Sequence, residues 1–377
     1  MLQLQLSGIK KIEAFIQQQD NSISLSQGAL RVGGIPQKIK NHVKELLTTD
    51  KTDYYQSAWG ILPLREKIQT TLNNKYKINL KINQIIATHG CIGALSNIFL
   101  TLLEPGDEVI IPEPTYPAYE NLTKLARSNP IFVSCINEKE NIEFDIEKIK
   151  KSVTKKTKII IIPNPWNPLG LVVEDEKIKE LLEWCEKKQI YLIIDEAYVD
   201  YRFKLPDESS VKLINESEYL ISCFTFSKNM AMSGWRVGFV IVPEKLYLSI
   251  GQTQDAFLNC TSVVAQYAAL YSLDHPELTL EFYKKVKENA DFSEKMLQPL
   301  VEKNIITFQK PDGGFFLFLK SIKYDATDLC AKILTEKKVG LIPGQYFGPS
   351  GKNFIRLCYA REKTVLQAGI QRILEIF

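Results

Sequence analysis

Short apolar runs that stop at Gly, Pro or an acidic residue, each followed by apolar side chains at helical spacing, restrict the fold of this chain more than any other feature. INQIIATHG leads into CIGALSNIFLTLL, DEVIIPEP into TYPAYENLTKLA, and TKIIIIPNP into EDEKIKELLEWCEKK. QIYLIIDEAY, EYLISCFTF and GWRVGFVIVP follow. Strands that are apolar on both faces and alternate with helices predict an α/β fold, its mainly parallel sheet covered by helices on both sides. Beyond about Glu281 the character changes. A long polar helical stretch precedes GGFFLFLK, the helix DATDLCAKILTEKK, VGLIPG and NFIRLCYA, which predicts a smaller α+β domain. The expected division is an N-terminal segment 1–45, a large domain 46–280 and a small domain 281–377. The first of these holds a helix-like stretch and the loop SQGALRVGGIP.

Composition removes several function classes. Of 377 residues 45% are apolar, enough for a large core, and the formal net charge is only +3. Neither that balance nor any basic cluster interleaved with aromatics argues for nucleic acid. KKSVTKKTK, the most basic stretch, reads as a solvated helix end. No apolar run is long enough to cross a membrane. MLQLQLSGIKKIEAF lacks the pattern of a secretion signal, so a cytoplasmic protein is expected. Seven cysteines without a CxxC pair and three histidines suggest free thiols in a reducing compartment and no metal site.

In open α/β sheets ligands gather at the carboxyl ends of the strands. Four such ends carry unusual residues. After IIATHG, the backbone amides of Cys91 and Ile92 would point outward at a helix N-terminus, a good anion site. IIPNPWNPLG fixes Asn164 and Asn167 between prolines, with their side chains held for hydrogen bonding. Asp195 directly ends the apolar run YLII, where a carboxylate calls for a cationic partner. TFSKNMAMSGWRVGF, finally, places Thr225, Lys228 and Arg236 together in an apolar segment with no acid to neutralise them. One ligand answers all four: a phosphate, a cation to pair with Asp195, and a carbon for a lysine to attack. Pyridoxal 5′-phosphate has a phosphate, a pyridine nitrogen and an aldehyde.

With these motifs in place, the chain resembles the fold-type I, class I/II pyridoxal-phosphate aminotransferases over almost its whole length. FTFSKNMAMSGWRVGF is similar to the family's lysine motif, with Thr225 where Ser is more usual. The resemblance implies a Schiff base on Lys228, with Arg236 and Thr225 on the phosphate. NPWNPLG resembles NPxNPTG, which puts Asn167 on the cofactor's phenolic oxygen. DEAY implies Asp195 on the pyridine nitrogen and Tyr198 near that phenolic oxygen. PEPTYPAYE implies Tyr116 stacked on the ring. YYQSAWGILPLREKI implies Tyr55 reaching the phosphate of a neighbouring subunit, and so a homodimer with shared sites. FIRLCYA implies Arg356 on the substrate carboxylate, aided by Asn167.

Leu169 stands where Thr is common and Gly93 where Glu is common; neither removes a group the chemistry needs. LSQG and RLCYAREKTVLQAGIQRI resemble the methionine, glutamine and kynurenine transaminase subgroup, but the ALRVGG that follows LSQG does not. The implied reaction is ping-pong transfer of an amino group from an L-amino acid to a 2-oxo acid. No second arginine awaits an acidic side chain, which points to neutral, aromatic or sulfur-containing donors, and Trp59, Trp166, Tyr54 and Phe347 are candidate pocket residues. The carbanion that loss of the α-proton would leave could instead lead to β- or γ-elimination, cyclisation or oxidation. A non-catalytic effector-binding protein is disfavoured because no helix-turn-helix module precedes the large domain. A dehydrogenase is disfavoured because no GxGxxG opens a strand–helix unit.

Overall fold

The structure is a computed structural model describing residues 8–205 and 208–377; the first seven residues of the expected N-terminal segment lie outside it. Its centre is a seven-stranded sheet: β1 (Ile85–Thr88), β2 (Glu108–Glu113), β3 (Asn129–Ser134), β4 (Thr157–Pro163), β5 (Tyr191–Asp195), β6 (Leu220–Thr225) and β7 (Gly238–Ile241). The spatial order is β1-β7-β6-β5-β4-β2-β3. All neighbours are parallel except β7, which runs against both β1 and β6. Ile159 to Ile162 have no exposed surface. Successive side chains of a strand point to opposite faces, so a run of four buried isoleucines requires cover on both sides.

Register lines up the strand ends that carry chemistry. Pro163 of β4 pairs with Asp195 of β5, and Asp195 with Cys223 of β6. The reversed strand completes the edge. Gly238, where β7 begins, pairs with Thr225 at the end of β6 and with Thr88 at the end of β1. Arg236 therefore reaches the same edge as the residues that follow β1, β5 and β6. A residue larger than Gly does not fit there: a Cβ on Gly238 would clash with Phe224 O and lie 2.9 Å from Gly90 Cα.

The C-terminal part is built around an antiparallel sheet in the order Ile342–Pro343, Phe354–Cys358, Phe316–Ser321, Ile306–Thr307. The helix Pro276–Glu302 packs with it, burying Phe282, Val286, Ala290, Leu297 and Leu300 on one helical face, while Leu278 in its first turn joins the core of the large sheet. Leu25, Leu30 and Val32 join this same core, and Ile23–Ser24 pairs in parallel with Val339–Gly340. The helix Gln37–Leu46 instead sits on the helix Val263–Leu273, with His42 stacked on Tyr271 at 4.3 Å. The expected boundary at 45/46 falls at the end of that first helix, and the one at 280/281 falls inside Pro276–Glu302.

Candidate active site

Asp195, 5% exposed, terminates β5 under the edge. Its oxygens are held from three sides. Tyr119 OH donates to Oδ2 at 2.7 Å, Cys91 Sγ to Oδ1 at 3.1 Å, and the Ala197 amide to Oδ1 at 3.0 Å. Burial raises the carboxyl pKa, and the three hydrogen bonds oppose that rise. A carboxylate so enclosed gains most from a cation placed against it.

Lys228 lies in the short helix Phe226–Asn229 that begins where β6 stops, capped by Thr225. It keeps some accessible surface, yet its packing is dense enough for burial to push the amine down to about 8. Arg356 and Arg236 act in the same direction, while Cys358 and Asp195 oppose it. The amine donates to Gly28 O and lies 5.4 Å from the centre of the Tyr198 ring. Tyr198 is itself wedged edge-on against Phe315 and Phe316.

Arg236 has φ of +56°, a conformation disfavoured for a residue with a Cβ. Its guanidinium donates to Ser233 O at 2.7 Å and His89 O at 3.3 Å. That puts it at the start of the helix Gly90–Leu102, which has no side-chain cap and no acid in its first turn. The first amides of such a helix, Cys91 and Ile92 among them, are donors awaiting an anion. Gly90 is required there, since it has φ of +69° and a Cβ would lie 2.9 Å from Arg236 Nη2. Thr225 Oγ1 lies 2.9 Å from Ser227 Oγ, so two hydroxyls face the same corner.

Arg356, 1% exposed, is sandwiched between the rings of Phe316 and Phe347, each 4.5 Å from its guanidinium carbon. It donates to Asn167 Oδ1 at 2.9 Å and to Ser26 O. Its Nε is buried without a partner among the described residues, and burial lowers its pKa to about 10. Asn164 has a different use: its side chain gives and receives one hydrogen bond each with Val173, both 2.9 Å, closing the loop that holds Asn167. Tyr116 follows β2 and is edge-on to Tyr119 at 5.7 Å. Tyr55 stands apart from all of these, 85% exposed. Of the candidate pocket residues, Trp166 is fully buried and donates to Pro114 O, Trp59 donates to Tyr247 O, Tyr54 is exposed, and Phe347 alone of the four flanks Arg356.

Sequence reasoning missed Tyr119, Ser227 and Phe316. Tyr119 had a signal, since it lies one helical turn after Tyr116; Phe316 looked like any other strand residue. The residues present fit pyridoxal phosphate. An uncapped helix start, Arg236 and two hydroxyls offer a phosphate cradle, the buried Asp195 offers a counter-charge, and Lys228 is an amine of lowered basicity between them.

The sequence matches the family described as aminotransferase class I and II over residues 20–373. The chain belongs to the class I and II aminotransferases. It is 33% identical to a probable aspartate aminotransferase of Methanocaldococcus jannaschii, covering 91% of this chain and 90% of that protein. It is 29% identical to a probable N-acetyl-LL-diaminopimelate aminotransferase of Bacillus subtilis, covering 100% and 94%. Among solved structures, the aspartate aminotransferase of Thermotoga maritima superimposes with a TM-score of 0.88 at 30% identity, covering 97% of this chain and 95% of that one. This aminotransferase thus has the fold-type I architecture expected of it, and pyridoxal 5′-phosphate is the cofactor of its family. No helix among the described residues is long and apolar enough to cross a membrane.

Proposed function

We propose that this aminotransferase moves the amino group of an L-amino acid with a neutral, aromatic or sulfur-containing side chain to a 2-oxo acid, by a ping-pong cycle. The observation that carries the reading is Arg356. It is a buried, aromatic-sandwiched fork with a spare donor, suited to one planar carboxylate. The other two cations of the cleft are engaged elsewhere, Arg236 at the helix start and Lys228 in the covalent chemistry. The groove of about 310 Å³ beside Tyr116 and Phe347 holds Glu120 and no cation. Among the described residues lining that groove, an acidic side chain finds no cation.

In this reading Arg356 and Asn167 hold the substrate carboxylate, and the Lys228 amine moves the proton at Cα. Pyridoxal phosphate, when bound, supplies the aldehyde that receives the amino group and a ring that accepts the electron pair left at Cα. Asp195, held by Tyr119 and Cys91, would offer its carboxylate to the ring nitrogen. Thr225, Arg236 and the amides of Cys91 and Ile92 would hold the phosphate, Tyr116 would cover the ring, and Tyr198 and Asn167 would serve its phenolic oxygen. The exposed Tyr55 is suited to a second subunit's phosphate, which supports a homodimer with shared sites. The core shared by residues 23–32 and the C-terminal sheet supports a small domain of 281–377 with that part of the N-terminal segment 1–45 packed on it, while the helix Gln37–Leu46 leans on the large domain of 46–280. Seven free cysteines support a cytoplasmic location.

The test is a panel of single amino donors with a neutral 2-oxo acid such as pyruvate, scored by kcat/KM. Phenylalanine, methionine or leucine should exceed aspartate by about tenfold or more, the worth of one unpaired charge or side-chain contact. A preference for aspartate, the substrate named for several relatives, would refute the side-chain assignment. Catalytic ammonia release without a 2-oxo acid would refute transamination as the outcome.

A further inference from the structure

The segment from Ser24 to Ala29 runs through LSQG into the start of the departing ALRVGG stretch, and the structure shows what holds it. Arg361 is 2% exposed and belongs to no ion pair among the described residues. Its guanidinium is spent on backbone carbonyls. Nε donates to Ser24 O at 2.6 Å, Nη2 to Gln27 O at 2.5 Å, and Nη1 to Ala29 O at 2.8 Å and Ala360 O at 3.1 Å. Of the three intervening carbonyls, Leu25 O accepts from the Cys358 amide at 2.8 Å, while Ser26 O and Gly28 O go the other way, to Arg356 and to Lys228. The loop is threaded between two sets of cations, with Arg361 on one side and the catalytic pair on the other.

We propose that Arg361 is a positioning residue of this aminotransferase: by gripping the carbonyls of residues 24, 27 and 29 it sets where Ser26 and Gly28 stand over Arg356 and Lys228, and so shapes the cover of the substrate site. The inference rests on the placement of the substrate carboxylate at Arg356.

Three observations support it. A buried guanidinium without a carboxylate is costly unless its donors are satisfied, and here three loop carbonyls satisfy them. Its own backbone is pinned, since Asn289 Nδ2 donates to Arg361 O at 2.6 Å and Tyr359 O at 3.0 Å, so the grip is referenced to the long helix Pro276–Glu302. The far end of the loop is tied to the same segment, through the Arg31 amide, which donates to Ala360 O at 3.0 Å. Glu13 holds the near end through the Ser24 and Ser26 hydroxyls, but it touches no carbonyl from 27 onward. Gly28 has little freedom to drift, because a Cβ there would lie 2.8 Å from Phe316 and 3.3 Å from Tyr198 OH. A small shift of the loop therefore reaches the residues around the amine.

Arg361→Met keeps the bulk and removes the fork, while Arg361→Lys keeps the charge and can satisfy fewer carbonyls at once. Both are compared with wild type as the cofactor-loaded enzyme, by hydrogen exchange of residues 24–32 and by kcat and KM for the best donor of the panel, whichever that is. Arg361→Met should raise exchange in that segment and raise KM by about tenfold, with kcat changed by less than about threefold; Arg361→Lys should fall between. Unchanged exchange in the segment would overturn the grip. Raised exchange with unchanged KM would overturn its link to the substrate site. If Arg361→Met does not fold, the same two readings on Arg361→Lys decide the matter. None of these outcomes depends on whether the donor is neutral or acidic.

Discussion

The carboxyl edge of the sheet and the loop 24–29 meet at the same lysine but are held there by different means. At the edge, functional side chains are fixed by strand register: Asp195 stands beside Pro163 and Cys223, and Thr225 opposite Gly238. The loop contributes backbone carbonyls, and side chains more than three hundred residues away in sequence hold it. A site of this kind combines a rigid wall that carries the chemistry with a cover whose position is set separately. Changes at the wall should remove activity or fold, whereas changes at the cover should alter affinity.

Lys228→Ala is the largest expected effect. Turnover should fall by about 10⁴-fold or more, together with the cofactor's absorbance as a lysine adduct, because in the proposed reading one amine is both anchor and base. Retained turnover would remove the wall's central assignment. Paired glycine variants come next. Gly238→Ala places a methyl against backbone on both sides and should lower stability by about 3 kcal/mol, the upper range for overpacking, in denaturant melts. Gly28→Ala meets the ring of Phe316 instead and should raise KM while leaving the melt nearly unchanged. Equal losses of stability in the two would erase the distinction between wall and cover.

Tyr119→Phe removes a charge-assisted hydrogen bond from Asp195 and should lower kcat by about tenfold, with a shift in the pH dependence of the bound cofactor's spectrum. The smallest effect is a pH signature of the cofactor-stripped protein. Lys228 titrates near 8 when folded and near its ordinary 10.5 when unfolded, so between those values the unfolded chain holds more protons. Burial of the charged amine thus costs stability fully below pH 8, and the cost fades as pH rises to 10.5. Lys228→Met should melt higher than wild type at pH 7, with the difference narrowing through that window. A difference that widened would contradict the lowered basicity.

The wall was legible in the sequence because each of its functional groups is a distinctive residue type at the end of an apolar run. Lys228, Asp195, Asn167 and Arg236 could be singled out from spacing and polarity, and the family resemblance added Tyr116, Tyr198 and Arg356. The alternation of strands and helices was legible for the same reason, a buried parallel sheet leaving a strong signature. The cover was not. The groups it offers are carbonyls, which every residue possesses, so nothing in SLSQGA announces Arg361 and nothing in CYAREK announces the loop. Asn164 shows the complementary failure. It reads like Asn167, yet both ends of its amide are consumed by Val173. Division into domains by change of pattern also met a physical limit, because the helices Gln37–Leu46 and Pro276–Glu302 run through the places where composition shifts.

The reversed strand β7 has a consequence for how this enzyme can vary. Because Gly238 pairs back onto Thr225, the connection carrying Lys228 and Arg236 begins and ends on the same rim. Its length is dictated at both ends by hydrogen-bonded partners, as if it were a ruler laid between amine and guanidinium. Insertions in the helical connections elsewhere can bulge into solvent, but one residue added between Thr225 and Lys228, or between Arg236 and Gly238, would shift one cation against the other. Diversity in substrate choice should therefore collect in segments such as 24–34 that approach the rim from outside, while the stretch that measures the cofactor keeps its count.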